Sequence, residues 1–501
     1  MNDLLAPLPG LAAHHLLLSA AAVGLALLVA LPLGVLAARR PRLAAVSLGI
    51  AGVIQTIPGL ALLALFYPLL LAIGHGVPAL GFLPAWLALS LYALLPILRN
   101  VVTGLGGLDP AVMEAADGLG MTARQRLRLV EAPLAAPVVM AGIRTATVWT
   151  IGAATLATTV GARSLGNLIF AGLQTEDWGQ VLVGCLASAA LALIADGLLA
   201  LIERGVARRE RWSLMLGFAG VVLGLVAASL PLIGSGAPTV VVGAKNFSEQ
   251  YVLARLIGAR LEQAGYRVSY REGLGSAVAL RALRQGDIDV YVDYSGTIWA
   301  DTMHRPRPAP RAETLAGIAT FLRPALMVGP LGFENAYALA MKRPGAARLP
   351  SADLRGLAAA APRLRLGADL EFLSRPEWRA VRDAYGLRFA ATRAYAPSFM
   401  YRALESGQVD VISAFSSDGR IAADGLTVLA DPARALPGYD AILLVSPAHA
   451  HDRPFLDALT PLVGAIPVEA MRRANYMVDR DSDKASPADA ARWLAGQVER
   501  R

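Results

Sequence analysis

The chain has 501 residues, 46 lysines and arginines against 38 aspartates and glutamates, and a mean hydropathy of +0.50. That length holds two or more domains, and so apolar a composition excludes an ordinary soluble protein. The pI near 9.8 formally suggests nucleic acid, but most early arginines close apolar runs, where they orient membrane helices, so no nucleic-acid partner is expected.

Apolar runs long enough for a hydrocarbon core of about 30 Å lie at 14–37, 44–73, 79–101, 134–160, 178–203 and 212–234. The first lacks a basic lead and a cleavage site, so it reads as a retained span. The second is over-long and carries Pro58-Gly59, which predicts a kink or break. Arg39, Arg40 and Arg42 follow the first run, Arg99 ends the third, and Arg204, Arg208, Arg209 and Arg211 separate the fifth and sixth. Arg124, Arg126 and Arg128 lie between the third and fourth; the alternate loops, 74–78 and 161–177, offer only Arg163. The positive-inside rule therefore puts the arginine-rich set in the cytoplasm and residue 235 outside. Arg144 falls within the fourth run, where a charge must face a pore, a dimer seam or water rather than lipid. Loop Gly161–Gly166 reads as either a gate lip or a plain glycine-rich turn. Cys185, the lone cysteine, excludes an intrachain disulfide or cysteine-metal cluster.

Between the third and fourth runs the chain turns polar. Asp109-Pro110 reads as an N-cap and first helical position, opening a short helix with Glu114, Ala115 and Ala116 that ends near Gly118 or Gly120. Thr122 with Gln125 is a capping box for a second short helix, and Pro133 marks the start of the next span. This stretch, 109–133, resembles the EAA motif of permease subunits in ABC importers, matching at Glu114, Ala115, Ala116, Gly120 and Pro133, with Val130 for its isoleucine and Ala132 replacing its leucine. The resemblance implies a coupling elbow that docks on a separate cytoplasmic ATPase.

Residues 235–238 read as a flexible linker. From Thr239 the pattern is strand–helix alternation: a strand at Val240–Val242, a helix over 249–264, then Arg267–Tyr270, Ala277–Leu283 and Ile288–Val292, an α/β domain with parallel strands and no evident repeat. The turn Gly243–Glu249 suits an anion, with Lys245, one of three lysines, adding charge. No Gly-x-x-x-x-Gly-Lys-Ser/Thr occurs, so ATP hydrolysis by the usual phosphate loop is not expected here. His304, His449 and His451 read as surface, and Asp287, Asp289 and Asp410 as loop braces. No cofactor, metal or covalent chemistry is expected.

Residues 240–500 resemble the OpuAC-like extracytoplasmic receptors for glycine betaine, choline and related osmoprotectants. The motifs are Gly243–Gln250, Gly286–Val290 with Tyr294–Thr297, Phe333–Ala338, Glu371–Arg375, and Gly407–Val411 with Phe415–Gly419. The resemblance implies a two-lobed binding domain of the type II periplasmic class over 239–501, behind a six-span, type I permease-like helical domain over 1–234. It implies an aromatic box of Tyr294, Tyr337, Phe415 and Tyr439, a carboxylate clamp of Lys245, Thr297 and Arg375, and a polar lining position at Asn335. Phe415 departs from the usual tyrosine, and Asp440 stands where another aromatic is frequent. A quaternary ammonium cannot donate N–H bonds, so aromatic faces must hold it, and its carboxylate suits a bidentate arginine. Lobe crossings are expected near Leu339–Arg343 and Ala435–Tyr439. The expected function is the permease and receptor subunit of an ABC importer for betaine-type solutes, a homodimer in the inner membrane with its receptor outside. Carnitine, choline, ergothioneine or an amino acid remain alternative cargoes; a tethered sensor or an anchored enzyme are the rival classes.

Overall fold

The computed structural model describes residues 7–73, 77–175, 177–230, 239–305, 309–436, 438–480 and 482–500; the expected linker lies outside them. The chain forms two compact units, one of 1–172 with 178–236 and one of 173–177 with 237–501.

In the first unit α1 (Leu8–Ala38), α4 (Phe82–Gly106), α6 (Ala123–Val160), α8 (Trp178–Arg208) and α9 (Arg211–Ser229) are each long and apolar enough to cross a membrane. Between α1 and α4, α2 (Pro41–Thr56) and α3 (Gly59–Ile73) bend by 101° at the expected break. Pro58 brings no N–H to the turn, and the Tyr92 hydroxyl donates to the freed Ile57 carbonyl. A Cβ on Gly59 would stand 3.0 Å from Leu156, so the bend is also tightly packed. Small residues let α1 and α4 approach closely: Ala22, Ala26 and Ala30 are buried, and a Cβ on Gly34 would meet Val101 at 2.5 Å.

The polar elbow forms as its caps require. Asp109 accepts from the Ala111 amide at 2.9 Å, opening α5 (Pro110–Gly118), and Gly120 takes the left-handed conformation at φ +73°. Thr122 and Gln125 form the capping box. Pro133 stands in the first turn of the α-helical segment Ala132–Ala153, as expected, although the helical path continues into it from Ala123 without a loop. Leu127–Glu131 is a π-turn in which the Ala132 amide reaches back to Leu127 O, and such widening accommodates the amide that Pro133 lacks. Loop 161–177 also differs from expectation, since Gly166–Gln174 forms a helix, α7.

The second unit is a pair of five-stranded sheets. The first has β1 (Thr239–Lys245), β2 (Arg267–Leu274), β3 (Val290–Tyr294) and β4 (Leu326–Glu334); the second has β5 (Tyr337–Lys342), β6 (Arg365–Asp369), β7 (Ala391–Tyr395), β8 (Val411–Phe415) and β9 (Leu426–Val428). The chain then returns to the first sheet as β10 (Asp440–Val445). The orders are β2-β1-β3-β10-β4 and β7-β6-β8-β5-β9.

The parallel strands read from the early alternation are present, β1 pairing in parallel with β2 and β3 and β6 with β7 and β8, but neither sheet is parallel throughout. Each sheet contains one strand that arrives from the other lobe: β10 runs antiparallel to β3 and β4, and β5 antiparallel to β8 and β9. The first crossing is the two-residue step Asn335-Ala336 between β4 and β5, not Leu339–Arg343, which lies within and just after β5. The second lies between β9 and β10 and includes the expected 435–439 stretch. Both lobes also repeat one device. Asp289 exchanges bonds with Val241, its amide donating at 2.8 Å and its carboxylate accepting at 2.8 Å; Asp410 does the same with Arg365 at 2.9 Å each way. Both aspartates are thus braces, as expected.

Candidate functional site

A cavity of about 570 Å³ lies between the lobes of the second unit. Its walls come from strand ends and the segments that follow them: β1 delivers Lys245 and Phe247, β3 delivers Tyr294 and Thr297, the first crossing delivers Asn335 and Tyr337, and β8 delivers Phe415.

The four box residues are brought together in one connected row. Tyr337 is its centre, 5.8 Å from Tyr439 edge to face, 4.8 Å from Phe415 and 4.7 Å from Phe372. Phe415 stacks on Phe247 at 6.4 Å, and Phe247 on Tyr294 at 6.1 Å. Phe247 and Phe372 were not chosen from sequence, although both sat within motifs already singled out. The phenols are engaged at the rim of the row. Tyr294 donates to Glu249 at 2.6 Å, and Tyr439 donates to Glu377. Burial raises the ionisation of Tyr294, Tyr337 and Tyr439 well above the ordinary range, so all three remain neutral phenols.

Arg375 lies beside the row, its guanidinium 5.6 Å from the centre of the Tyr337 ring. It is 6% exposed, pairs with Asp301 at 2.7 Å and with Glu371, and lies 3.7 Å from Glu377. Nη1 is the atom that faces Asp301, and among the described residues Nε has no hydrogen-bond acceptor. Burial works against its charge, but the surrounding Tyr337, Glu371 and Asp301 hold its pKa above the ordinary value. Asp301 is pushed up to about 6 by burial, against the pull of Arg375. None of these carboxylates was anticipated, since no pattern in their local sequence separates them from surface acids.

The remaining expected ligands fall on the same cavity with different commitments. Thr297 is buried in its wall. Lys245 is buried and its ammonium is paired with Asp293, 5.1 Å from the Tyr294 ring centre. Asn335 donates to Glu249 at 3.0 Å. Asp440 is turned away, bonded to Arg311 at 2.7 Å, and does not line the cavity.

Beside Tyr294 and Asn335 lies a buried acidic group. Glu249 accepts from Tyr294, Asn335 and, at 2.9 Å, Asn475. Burial raises its pKa. Asp479 accepts from Ser248 at 2.5 Å and is pushed up to about 7 by burial, with Asp418 beside it. Asn475 and Asp479 belong to helix Val468–Asp479, which touches both lobes: Asn475 also donates to Ser417 O at 3.0 Å, and Arg420 to Asp479 O at 2.6 Å. His304 and His451 are exposed as expected, but His449 is half-buried, stacked on Phe455 at 4.3 Å and bonded to Asp452 at 3.0 Å.

In the first unit, Glu114 and Ala115 of the elbow are exposed while Ala116 is buried. Gly120 closes α5, and Pro133 sits beyond the π-turn. An ionic chain that sequence reading missed binds the elbow to the end of α1. Arg126 pairs with Asp117 at 2.6 Å and Glu131 at 2.8 Å, and Glu131 with Arg39 at 3.2 Å. Arg144 finds its partners within the chain, taking Asp196 in a fork at 2.8 and 2.9 Å and Glu203 at 2.6 Å.

Residues 238–496 match the family described as the substrate binding domain of ABC-type glycine betaine transport systems, OpuAC. Residues 30–208 match the binding-protein-dependent transport system inner membrane component. The chain belongs to the ABC importer family that joins this permease to an OpuAC domain. Such a fusion is a membrane protein of the transport class, with a helical domain followed by an α/β two-sheet binding domain, and membership implies a small-molecule cargo and an ATPase partner. It is 29% identical over 465 residues to the ergothioneine transport permease/ergothioneine binding protein EgtU of Helicobacter pylori (strain G27), spanning 89% of this chain and 83% of that one. Its permease half is 47% identical over 192 residues to the osmoprotectant import permease OsmW of Salmonella typhimurium, 38% of this chain and 88% of that one. A crystal structure of a glycine betaine/carnitine/choline ABC transporter overlays 52% of this chain and 98% of its own at 25% identity, with a TM-score of 0.46.

Proposed function

We propose that this chain is the permease and receptor subunit of an ABC importer for betaine-type quaternary-ammonium carboxylates such as glycine betaine and carnitine, with choline as a related cargo. One observation carries the reading: a row of aromatic faces runs beside an enclosed arginine whose Nε has no acceptor among the described residues. Tyr294, Tyr337, Phe415 and Tyr439 surround the methylated nitrogen, each contact contributing about 0.5–2 kcal/mol. Arg375 takes the carboxylate through a charge-assisted bond from Nε, Thr297 and Asn335 line the polar wall, and Lys245, through its pair with Asp293, sets the charge of the floor. Ligand bound to both lobes favours their closure about the crossings at Asn335-Ala336 and 429–439.

Residues 1–234 form the permease, 235–238 the linker and 239–501 the receptor, held outside the inner membrane at high local concentration. A homodimer supplies two permease halves. A cytoplasmic ATPase docks on the elbow through Glu114, Ala115 and Ala116, with Gly120 and Pro133 shaping it, and its hydrolysis drives the change of access. The chain itself performs no covalent step. A second cargo, ergothioneine, is favoured by the likeness to the EgtU fusion over 89% of this chain. Calorimetry on the full chain with a panel of betaines, choline and amino acids tests the reading: betaines should bind and amino acids lacking methylation should not. Tighter binding of an unmethylated amino acid would overturn it.

A further inference from the structure

A second cavity, of about 330 Å³, lies on the lobe that carries the second sheet, and its lining is basic where that of the solute site is aromatic. Its cations converge from four segments. Lys342 and Arg343 come from the end of β5, Arg402 from helix Pro397–Glu405, Arg420 from helix Gly419–Ala423, and Arg480 from the close of helix Val468–Asp479. Three carboxylates, Glu405, Asp424 and Asp479, share the lining, so two positive charges are in excess. Two of the cations are bonded without being neutralised. Lys342 donates to the main-chain oxygen of Glu405 at 2.7 Å, and Arg480 donates to that of Asp483. Among the described residues Lys342, Arg343 and Arg480 form no salt bridge, and Arg480 Nε is buried without an acceptor.

This arrangement suits an oxyanion. Lys342, Arg343 and Arg402 are exposed and raise the local concentration of anions at the mouth. Arg420 is 8% exposed, so its charge acts from a wall that water screens little. Guanidinium donors match the oxygens of a phosphate group in pairs. The cavity also backs on the solute site, since Tyr401, Arg420 and Asp479 line both. The Arg420 guanidinium lies 5.6 Å from the centre of the Tyr401 ring and donates to Asp479 O at 2.6 Å, so the shared wall is one packed group. An anion held against Arg420 offsets the positive charge of that wall. A cation on its other side is then repelled less, and the effect is reciprocal.

We propose that this second cavity binds a phosphate-type oxyanion, and that its occupancy strengthens the binding of a cation in the solute cavity through the wall of Tyr401, Arg420 and Asp479. Free phosphate and the headgroup of an anionic lipid carry the same chemistry. Inorganic phosphate titrated by calorimetry into the full chain in dodecyl maltoside, a detergent without phosphate, should bind saturably at a single site. Arg343→Glu and Arg480→Leu should each weaken it at least about tenfold, with a thermal melt confirming the fold. Arg363→Glu, which reverses an exposed charge outside the cavity, should leave it unchanged. Failure of phosphate to saturate, or equal weakening in Arg363→Glu, overturns the site. The same titration in nanodiscs containing phosphatidylglycerol assigns the source: a heat lost there identifies the lipid headgroup, and a heat retained identifies free phosphate. The coupling rests on the quaternary-ammonium reading. Saturating phosphate should tighten choline binding roughly fivefold, and in Arg343→Glu the gain should vanish; a choline affinity that bound phosphate leaves unmoved overturns the coupling. If phosphate binds while neither choline nor a betaine does, the cargo reading falls and the oxyanion site stands.

Discussion

Replacing Arg375 separates a carboxylate clamp from a merely structural arginine. In Arg375→Ala the ligand loses a charge-assisted bond, about 1.5–3 kcal/mol. Allowing about 3 kcal/mol, a betaine should weaken by roughly 100-fold at about 1.4 kcal/mol per decade. Choline has no carboxylate and should respond in the opposite sense. Asp301, Glu371 and Glu377 remain around the vacated position, so the site becomes more negative and choline should bind equally or more tightly. Breaking a buried ion cluster costs about 3–5 kcal/mol of stability, so titrations on the full chain need a melting curve alongside. Arg375→Lys is the second variant, keeping the charge while losing the Nε donor. Equal losses for betaine and choline in Arg375→Ala would refute the clamp.

Asp479, held near 7 by burial, binds its proton more tightly folded than unfolded. Its stabilising contribution is complete below the ordinary carboxylate pKa of about 3.9 and disappears as pH rises through about 7, up to ~4 kcal/mol at 1.36 kcal/mol per unit. Asp479→Asn should flatten the fall in melting temperature across that window; an unchanged slope would contradict it. Asp440→Ala removes a bond to Arg311, which is 60% exposed, so it should cost only about 0.2–1 kcal/mol and leave betaine affinity unchanged by calorimetry. Glu131→Gln loosens the ionic chain from Arg39 to Asp117, and Glu114→Lys reverses a charge on the exposed elbow. Both should lower uptake in cells while ligand affinity holds; unchanged uptake would remove the coupling role.

The fold class was legible because its signals are local. Runs of apolar residues, arginines at their ends, and the caps at Asp109, Thr122 and Gly120 each act within a few residues of themselves. The sheet pairing was not legible, because β10 and β5 reach their sheets only after the chain has crossed between lobes, and no local pattern records which strand inserts where. The aromatic row was readable from motifs. The polar groups around it were not: Asp301, Glu377 and Asn475 converge from separate segments, and each looks alone like a solvated surface residue. Arg144 was identifiable as anomalous within an apolar run, but its partners Asp196 and Glu203 lie 52 and 59 positions away.

The central claim is that solute capture and energy input act on opposite faces of one membrane-embedded chain. It is tested most directly by placing single cysteines at the exposed positions Arg124 and Arg393 in a Cys185→Ala background and adding a membrane-impermeant maleimide to cells made permeable only at the outer envelope. The cysteine at 393 should label and that at 124 should label only after the inner membrane is broken. Labelling of both, or of neither, before that step would contradict the account.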